Sequence, residues 1–280
     1  MTSLDMKGFS LTVFVNNSDS NLDKNKDLIL SAIDKEIEFK NWNILSTEHI
    51  NLSNNIITEV QEVSQIYPDT KVKNIFKEIC EFLITESNYL NNLDKEVGDG
   101  DIGSGVEKSL NYVLSKLNSL DFEDDLSNSF KEIGNYIASS FGGTSGPLYA
   151  AFFIKGSEKL NQKESNNDFN NWIDACESGT KMIQLIGRAQ IGDRTMLDML
   201  YPLIQTLKDF YLTKNKSDLI ELQDVTNEVI NSALDRVREL MSLRGRSSYM
   251  NGKEIGKDDP GCVLVSLWMK FLIKKLIASK

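Results

Sequence analysis

Histidine and cysteine are scarce in this sequence, and their scarcity excludes several kinds of site. His49 is the only histidine among 280 residues, and it lies in a polar stretch. A Ser-His-Asp triad or a histidine-based zinc site is therefore excluded within the chain. Cys80, Cys176 and Cys262 are odd in number, far apart and outside metal-ligand spacing. We expect reduced thiols in a cytoplasmic protein rather than a disulfide scaffold.

Long hydrophobic runs and an excess of positive charge are also missing. The short apolar run LTVFV near the N-terminus is too short for a signal peptide, and lysines interrupt LVSLWMKFLIKKLI, so we expect no membrane span. The chain carries 41 acidic and 31 basic residues, a net charge of -10. This charge argues against nucleic acid or anionic lipid as a partner. Any phosphate ligand must be held locally.

What the sequence does contain is helical periodicity over most of its length. From Val72 to Leu93 apolar residues recur at spacings of three, four and seven, which marks one face of a long helix. Similar patterns predict seven more helices, near 106–117, 126–137, 147–160, 169–185, 195–212, 219–243 and 260–279. Because short connections favour antiparallel neighbours, we predict an all-α bundle of eight up-and-down helices at 70–280. A strand within 1–44 and a polar linker at 45–69 are predicted to precede it.

The connections between these helices alternate in character. Those after the second, fourth and sixth helices are merely polar, whereas those after the first, third, fifth and seventh are rich in glycine. These four are GDGDIGSG, GGTSG, GRAQIGDR and RGRSSYMNGKEIGKDDPG, and they hold most of the 17 glycines. Since up-and-down helices return to the same end at every second connection, all four glycine-rich loops are predicted to meet at one rim of the bundle.

The predicted rim has the chemistry of an anion and cation site. Each loop leads into the start of a helix, where free backbone N–H groups and the helix dipole favour phosphate. Ser104 and Glu107 have the spacing of a capping box, and Pro147 and Pro260 suit a first helical turn. Taken singly, each of these caps favours a structural explanation over a functional one. Asp94, Asp99 and Asp101 lie within eight residues, and such carboxylates need a divalent cation between them, which predicts Mg²⁺.

Two rival motifs fit the first loop poorly. Gly98, Gly100 and Gly103 match the spacing G-x-G-x-x-G, but a dinucleotide fingerprint follows a strand, whereas a long helix precedes this loop. An EF-hand counted from Asp99 would place Leu110 where the twelfth-position glutamate belongs. Neither a dinucleotide site nor an EF-hand is therefore expected.

Four segments resemble the signature segments of the nucleotide-binding domain of dihydroxyacetone kinases, in order and with plausible spacing. They are LDKEVGDGDIGSG, FGGTSGPLYAAFF, GRAQIGDRTMLDMLYP and GRSSYMNGKEIGKDDPG. The resemblance covers roughly Val72 to the C-terminus. It implies an all-α barrel of eight up-and-down helices that binds ATP and two Mg²⁺ ions at one rim.

The resemblance also implies roles for individual residues. It implies that Asp94, Asp99 and Asp101 bind the metal ions. The nucleotide would be surrounded by Asp101, Ile102, Gly103, Ser104, Thr144, Ser145, Gly187, Thr195, Met196, Asp259, Pro260 and Gly261. Arg246 would offset charge on the transferring phosphoryl group, helped by Arg194. For Arg194 a salt bridge to Asp193 or Asp198 is the alternative.

The catalytic base and the ketose-binding histidine of this family belong to another domain. The N-terminal residues 1–44 resemble only the last strand of that ketose-binding domain, so we expect the acceptor, a three-carbon ketose or aldose, to be held by a unit supplied in cis or in trans. The strand favours the ATP-using branch of the family over the branch that takes phosphate from a phosphoprotein and keeps ADP bound. A non-catalytic regulatory subunit and a cation-binding structural bundle remain open, as do a homodimer and a lyase activity that cyclises FAD.

Overall fold

The computed structural model describes residues 67–160, 169–213 and 219–278, and these ranges are entirely helical and irregular, with no strand. The predicted N-terminal strand and nearly all of the predicted linker lie outside the described residues. None of the helices in the described ranges is long and apolar enough to cross a lipid bilayer.

Nine α-helices make up the described ranges. They are α1 (Lys71–Thr85), α2 (Ser87–Val97), α3 (Ile102–Lys116), α4 (Leu126–Ser140), α5 (Ser145–Ser157), α6 (Phe169–Gly187), α7 (Leu197–Thr213), α8 (Leu219–Glu239) and α9 (Pro260–Ala278). Two short 3-10 helices, Leu117–Ser119 and Arg246–Met250, lie in the connections. The all-α prediction is therefore confirmed.

The first predicted helix is divided in two at Glu86. The Thr85 hydroxyl donates a hydrogen bond to the Phe82 carbonyl at 2.6 Å, and the Glu86 N–H is shared between the carbonyls of Phe82 and Leu83 at 3.3 and 3.2 Å. The shared N–H replaces the single bond that a regular α-helix makes to the carbonyl four residues earlier. The apolar spacing continues through the break, which is why periodicity predicted one helix here.

The helices close into a ring in which consecutive members pack side by side and α9 also packs against α1. The rings of Phe82 on α1 and Phe271 on α9 stack with their centroids 4.5 Å apart. Below them, Lys275 and Glu78 form a salt bridge at 2.9 Å. This closure of the first helix against the last fits the predicted up-and-down barrel.

The apolar core has two parts, and α9 belongs to both. One cluster is built mainly from α6, α7 and α8, and the other mainly from α1 to α5. Val263 and Leu264 of α9 enter the second cluster, whereas Val265 and Met269 enter the first. A helix that is apolar on all sides belongs in the interior, so α9 fixes the positions of both halves around it.

Gly103 allows α3 to lie directly against α2. A Cβ at this position would overlap the Ser87 carbonyl oxygen and lie 2.9 Å from Asn91 Oδ1. Beside it, the Ser104 N–H donates to Asn91 Oδ1 at 3.0 Å, and Asn91 Nδ2 donates to Ser104 Oγ at 2.9 Å. The close approach holds the start of α3 against the preceding helix.

We expect Gly103→Ala to lower the free energy of unfolding by about 1–3 kcal/mol, because the added methyl group overpacks a backbone contact. Thermal unfolding followed by circular dichroism would measure the loss. Gly142→Ala is the matched control, since a Cβ at Gly142 has no atom within 4 Å. Equal losses in the two variants would contradict the packing explanation.

Candidate functional site

The four glycine-rich loops lie together at one rim of the ring. We call them loop A (98–101), loop B (141–144), loop C (188–196) and loop D (240–259). Arg246 of loop D forms ion pairs with Asp99 and Asp101 of loop A, and its Nη2 would lie 3.8 Å from a Cβ on Gly143 of loop B. The Leu243 N–H of loop D donates to the Asp193 carbonyl of loop C at 3.1 Å. Residues that are distant in sequence therefore meet at the rim.

The starts of α7 and α9 meet at the same rim. The Cys262 thiol of α9 lies 3.0 Å from the Thr195 carbonyl oxygen and donates to it. A Cβ on Gly261 would be 3.7 Å from the backbone nitrogen of Met196. Thr195, Met196 and Gly261 therefore lie close together at the rim.

Asp94 organises loop A from the end of α2. Its Oδ2 accepts hydrogen bonds from the N–H groups of Gly100, Asp101 and Ile102 at 2.9, 2.9 and 3.3 Å. Gly100 has a φ of +79°, a conformation that favours glycine. Asp94 therefore bends the loop so that α3 can begin directly after Asp101.

Asp94, Asp99 and Asp101 form a cluster with the donor set of a hard divalent cation. One carboxylate oxygen from each lies within 4.8 Å of the others, Asp94 is half-buried, and the other two are exposed. Mg²⁺ prefers oxygen ligands and is usually held by one or two carboxylates together with water and phosphate, so these residues fit it. The Arg246 guanidinium contacts the exposed pair of carboxylates and offsets their mutual repulsion.

Asp259 caps α9 rather than offering its carboxylate to a ligand. Its Oδ1 accepts the Cys262 N–H at 2.8 Å, and Pro260 is the first residue of the helix, as predicted. Burial raises the pKa of Asp259, although the hydrogen bonds from Cys262 and the positive charge of Arg194 act in the opposite direction. Asp259 therefore serves the site by fixing the start of α9.

The predicted capping box at Ser104 and Glu107 is wrong. α3 begins at Ile102, three residues earlier than a Ser104 cap requires, and Ser104 pairs with Asn91 instead. Asp94 draws the N–H groups of loop A towards itself, which starts the helix early. Asn91 was missed by sequence reasoning, although it lies three residues before Asp94 and so on the same face of α2.

Loop B leaves the start of α5 open. Thr144 is the residue before the helix, and its side chain makes no capping hydrogen bond. Thr144 is exposed and Ser145 half-buried. Thr144 therefore stands at the surface of the rim, before a helix start without a side-chain cap.

Gly187 lies at the end of α6, beside α5. A Cβ on Gly187 would be 3.5 Å from the Leu148 side chain, one turn after the start of α5. A hollow that opens to solvent adjoins it, lined by Lys181, Gln184, Leu185, Arg188, Ala189 and Gln190. Gly187 is therefore near loop B.

Asp198 shapes loop C in the way that Asp94 shapes loop A. It has no exposed surface, and its two carboxylate oxygens accept the N–H groups of Gly192 and Thr195 at 2.6 and 2.8 Å. Sequence reasoning treated Asp198 only as a salt-bridge partner. Its spacing of three from Thr195 resembles a capping box and could have identified it.

Arg194 does not face the rim, and neither expectation for it holds. The residue is 1% exposed. Its Nη1 donates to the Leu240 carbonyl at 3.2 Å and its Nη2 to the Lys257 carbonyl at 2.9 Å. The Asp193 carboxylate binds Arg244 at 3.1 Å instead, and Asp198 is occupied by backbone N–H groups. A guanidinium buried among carbonyls cannot approach a phosphoryl group at the surface.

Comparison with known proteins identifies relatives of this chain. A family model described as the DAK2 domain matches residues 96–274. A probable dihydroxyacetone kinase of Dictyostelium discoideum is 29% identical across 96% of this chain and 44% of that protein. The ADP-binding subunit DhaL of a PEP-dependent dihydroxyacetone kinase of Escherichia coli is 29% identical across 72% of this chain and 95% of the subunit.

Solved structures show the same fold. The dihydroxyacetone kinase of C. freundii in complex with AMP-PNP and Mg²⁺ matches with a TM-score of 0.57 at 24% identity, covering 90% of this chain and 42% of that one. At this identity the match establishes the fold alone. The chain spans less than half the length of the Dictyostelium kinase and of the C. freundii kinase.

Proposed function

This chain belongs to the DAK2 domain family, and on that premise we propose that it is the ATP-binding, phosphoryl-donor part of an ATP-dependent dihydroxyacetone kinase. The observation that carries the proposal is the meeting of Asp99, Asp101 and Arg246 at one rim, although Arg246 lies 145 residues after Asp101 in the chain. Carboxylates for a cation and a guanidinium for phosphate are the parts that phosphoryl transfer requires.

The rim offers a position for each part of a metal–nucleotide complex. Asp94, Asp99 and Asp101 would hold Mg²⁺, which when bound neutralises phosphate oxygens and orients them. The phosphates would lie against the helix starts that follow the four loops, where the positive dipole ends favour anions. Among them, the start of α5 has no side-chain cap. The residues proposed to surround the nucleotide are Asp101 to Ser104, Thr144, Ser145, Gly187, Thr195, Met196, and Asp259 to Gly261.

Arg246 would act on the phosphoryl group during transfer. It is half exposed, and its guanidinium already lies at the carboxylates where the metal and the phosphates would gather. A guanidinium at this position stabilises negative charge that develops on the phosphoryl oxygens. Charge stabilisation is the largest contribution that a protein makes to this reaction.

The acceptor would come from a ketose-binding unit, present in cis or in trans, that covers the rim. Its substrate would be dihydroxyacetone or glyceraldehyde. Several large apolar side chains of loops C and D are exposed, which is expected of a surface that another unit covers. They are Ile191, Met241, Leu243, Tyr249 and Ile255. A cytoplasmic location follows from the sequence composition and stays a prediction.

A second candidate is a subunit of a phosphoprotein-dependent enzyme that keeps ADP bound. The match to the Escherichia coli ADP-binding subunit, of which 95% is covered, favours it. The two candidates differ in the fate of the nucleotide. An ATP-using kinase releases ADP at each turnover, whereas a carrier subunit purifies with ADP bound and is rephosphorylated in place.

Isothermal titration of the chain with ATP would test the proposed function. We expect Mg²⁺ to tighten ATP binding by about tenfold or more, because the metal joins three carboxylates to the phosphates that they would otherwise repel. Titration in excess EDTA is the control. Metal-independent binding would contradict the proposal, and absence of binding to ATP or ADP would favour a structural bundle.

A further inference from the structure

Loop D is closed at its base by one buried side chain from loop C. Arg194 donates through Nη1 to the Leu240 carbonyl at 3.2 Å and through Nη2 to the Lys257 carbonyl at 2.9 Å. Leu240 is where α8 has just ended, and Lys257 stands shortly before α9 begins. A single guanidinium therefore holds the outgoing and returning limbs of the loop together.

A buried glutamate, Glu254, links the same two limbs slightly further into loop D. Glu254 has no exposed surface, and its Oε1 accepts the Ser242 N–H at 2.9 Å. Burial opposes ionisation of Glu254, but hydrogen bonds from Ser242 and neighbouring N–H groups, together with the charge of Arg194, outweigh it and lower its pKa. Within the described part of the chain, neither Arg194 Nε nor Glu254 Oε2 has a hydrogen-bond partner.

Burying the charged side chains of Arg194 and Glu254 costs free energy unless neighbouring groups compensate the charges. Buried charges require compensation, and removing one partner leaves the other uncompensated. Arg194 also has a φ of +59°, a conformation that is uncommon outside glycine. The carbonyls of Leu240 and Lys257 and the charge of Glu254 compensate the guanidinium only while both limbs of loop D stay in place.

The tip of loop D carries Arg246. The loop turns at Gly245, with a φ of +68°, into the 3-10 helix Arg246–Met250. This turn directs the Arg246 guanidinium onto Asp99 and Asp101 of loop A. Further contacts also reach loop D. The Gly256 N–H donates to the Arg238 carbonyl at 2.7 Å and the Leu243 N–H to the Asp193 carbonyl at 3.1 Å, Lys257 Nζ donates to the Glu96 carbonyl at 2.9 Å, and the surface pairs of Arg244 with Asp193 and of Arg238 with Asp258 flank them.

We infer that Arg194, together with Glu254, is a positioning residue that holds loop D in the conformation in which Arg246 reaches the carboxylate cluster of loop A. The inference deepens the proposed function and rests on it for the meaning of the carboxylate cluster. It replaces the expectation that Arg194 touches the phosphoryl group.

A double-mutant cycle on cation affinity separates positioning from general stability. In the full chain without nucleotide, the Arg246 charge competes with a cation for the carboxylates. Arg246→Gln is therefore expected to tighten Mn²⁺ binding by about two- to fivefold, the range set by the energy of exposed ion pairs. Arg194→Gln should reproduce most of this gain, and the double variant should gain no more than Arg246→Gln alone.

Lys77→Gln is the control. It removes a positive charge from an exposed pair with Glu81 within α1 at 3.9 Å, outside loop D, and its Mn²⁺ affinity should equal that of the unmodified chain. An Arg194→Gln protein with unchanged Mn²⁺ affinity, or additive gains in the double variant, would overturn the inference. So would an equal gain from Lys77→Gln.

Hydrogen exchange provides a second readout that does not depend on the metal. Arg194→Gln should raise exchange within residues 240–259 while the helices stay protected, and Arg246→Gln should not. If Arg194→Gln fails to fold, Glu254→Gln removes the buried charge while keeping the size of the side chain, and it should raise exchange in the same segment. Unchanged exchange in 240–259 would overturn the inference. Failure of the unmodified chain to bind Mn²⁺ would instead count against the proposed function.

Discussion

Replacement of Arg246 by glutamine is expected to slow phosphoryl transfer by about a thousandfold when the chain acts with a ketose-binding unit. The loss is large because the guanidinium stabilises charge that is present mainly in the transition state. ATP affinity should change by only a few-fold, since the helix starts and the carboxylate cluster remain. The measurement is ADP release in the presence of dihydroxyacetone, paired with titration of ATP.

Arg244 provides the matched control for this substitution. It lies two residues before Arg246 on loop D, is half exposed, and pairs with Asp193 at 3.1 Å rather than with the carboxylate cluster. Arg244→Gln should therefore keep nearly full turnover. A comparable loss of turnover in both variants would show that any disturbance of loop D slows phosphoryl transfer. That result would contradict the specific role proposed for Arg246. Arg246→Lys should not restore the rate, because an ammonium group lacks the planar fork of a guanidinium.

The second large effect is expected from the carboxylates of loop A. Asp99→Asn combined with Asp101→Asn should abolish the Mg²⁺ dependence of ATP binding, at a cost of about 100-fold in affinity for the metal complex. Removing a group that only supports a metal ligand through a hydrogen bond already lowers metal affinity by about 10–100-fold. Thermal stability should be unchanged because both side chains are exposed. Titration with and without Mg²⁺, together with a thermal melt, measures both outcomes.

Asp124→Asn is the control for the loop A substitutions, since Asp124 is an exposed carboxylate outside the rim loops. Its Mg²⁺ dependence should match that of the unmodified chain. Persistence of full Mg²⁺ dependence in the double variant would refute the metal assignment. Asp94→Asn is less informative, because Asp94 also holds two backbone N–H groups of loop A and the first N–H of α3, and its loss would change the loop itself.

The helices and their arrangement could be predicted because they depend on repeated, local signals. Apolar spacing marks the buried face of each helix, and the alternation of plain and glycine-rich connections placed the four loops at one end. The break at Glu86, where one N–H is shared between the carbonyls of Phe82 and Leu83, could not be foreseen from this pattern. The periodicity of apolar side chains carries no information about such a bond.

Individual side-chain partners were harder to predict than the loops that carry them. Ser104 was assigned a cap from its spacing to Glu107, but Asn91 and Asp94 on a different helix decide where α3 begins. Arg194 was assigned to the phosphoryl group because it lies in a glycine-rich loop. Its actual partners, the carbonyls of Leu240 and Lys257, are 46 and 63 residues away in sequence, and backbone carbonyls leave no signature in a sequence.

Because α9 follows α1 to α8 in the sequence and contributes to the rim, the rim can form only after α9 has been synthesised. α9 packs against α1, α2, α7 and α8, and its first residues meet Thr195 and Met196 at the rim. A nascent chain on the ribosome therefore holds α1 to α8 with their shared apolar surface open until α9 has left the exit tunnel. The growing chain therefore exposes apolar surface of α1 to α8 until α9 is available to cover it, and such surface promotes aggregation.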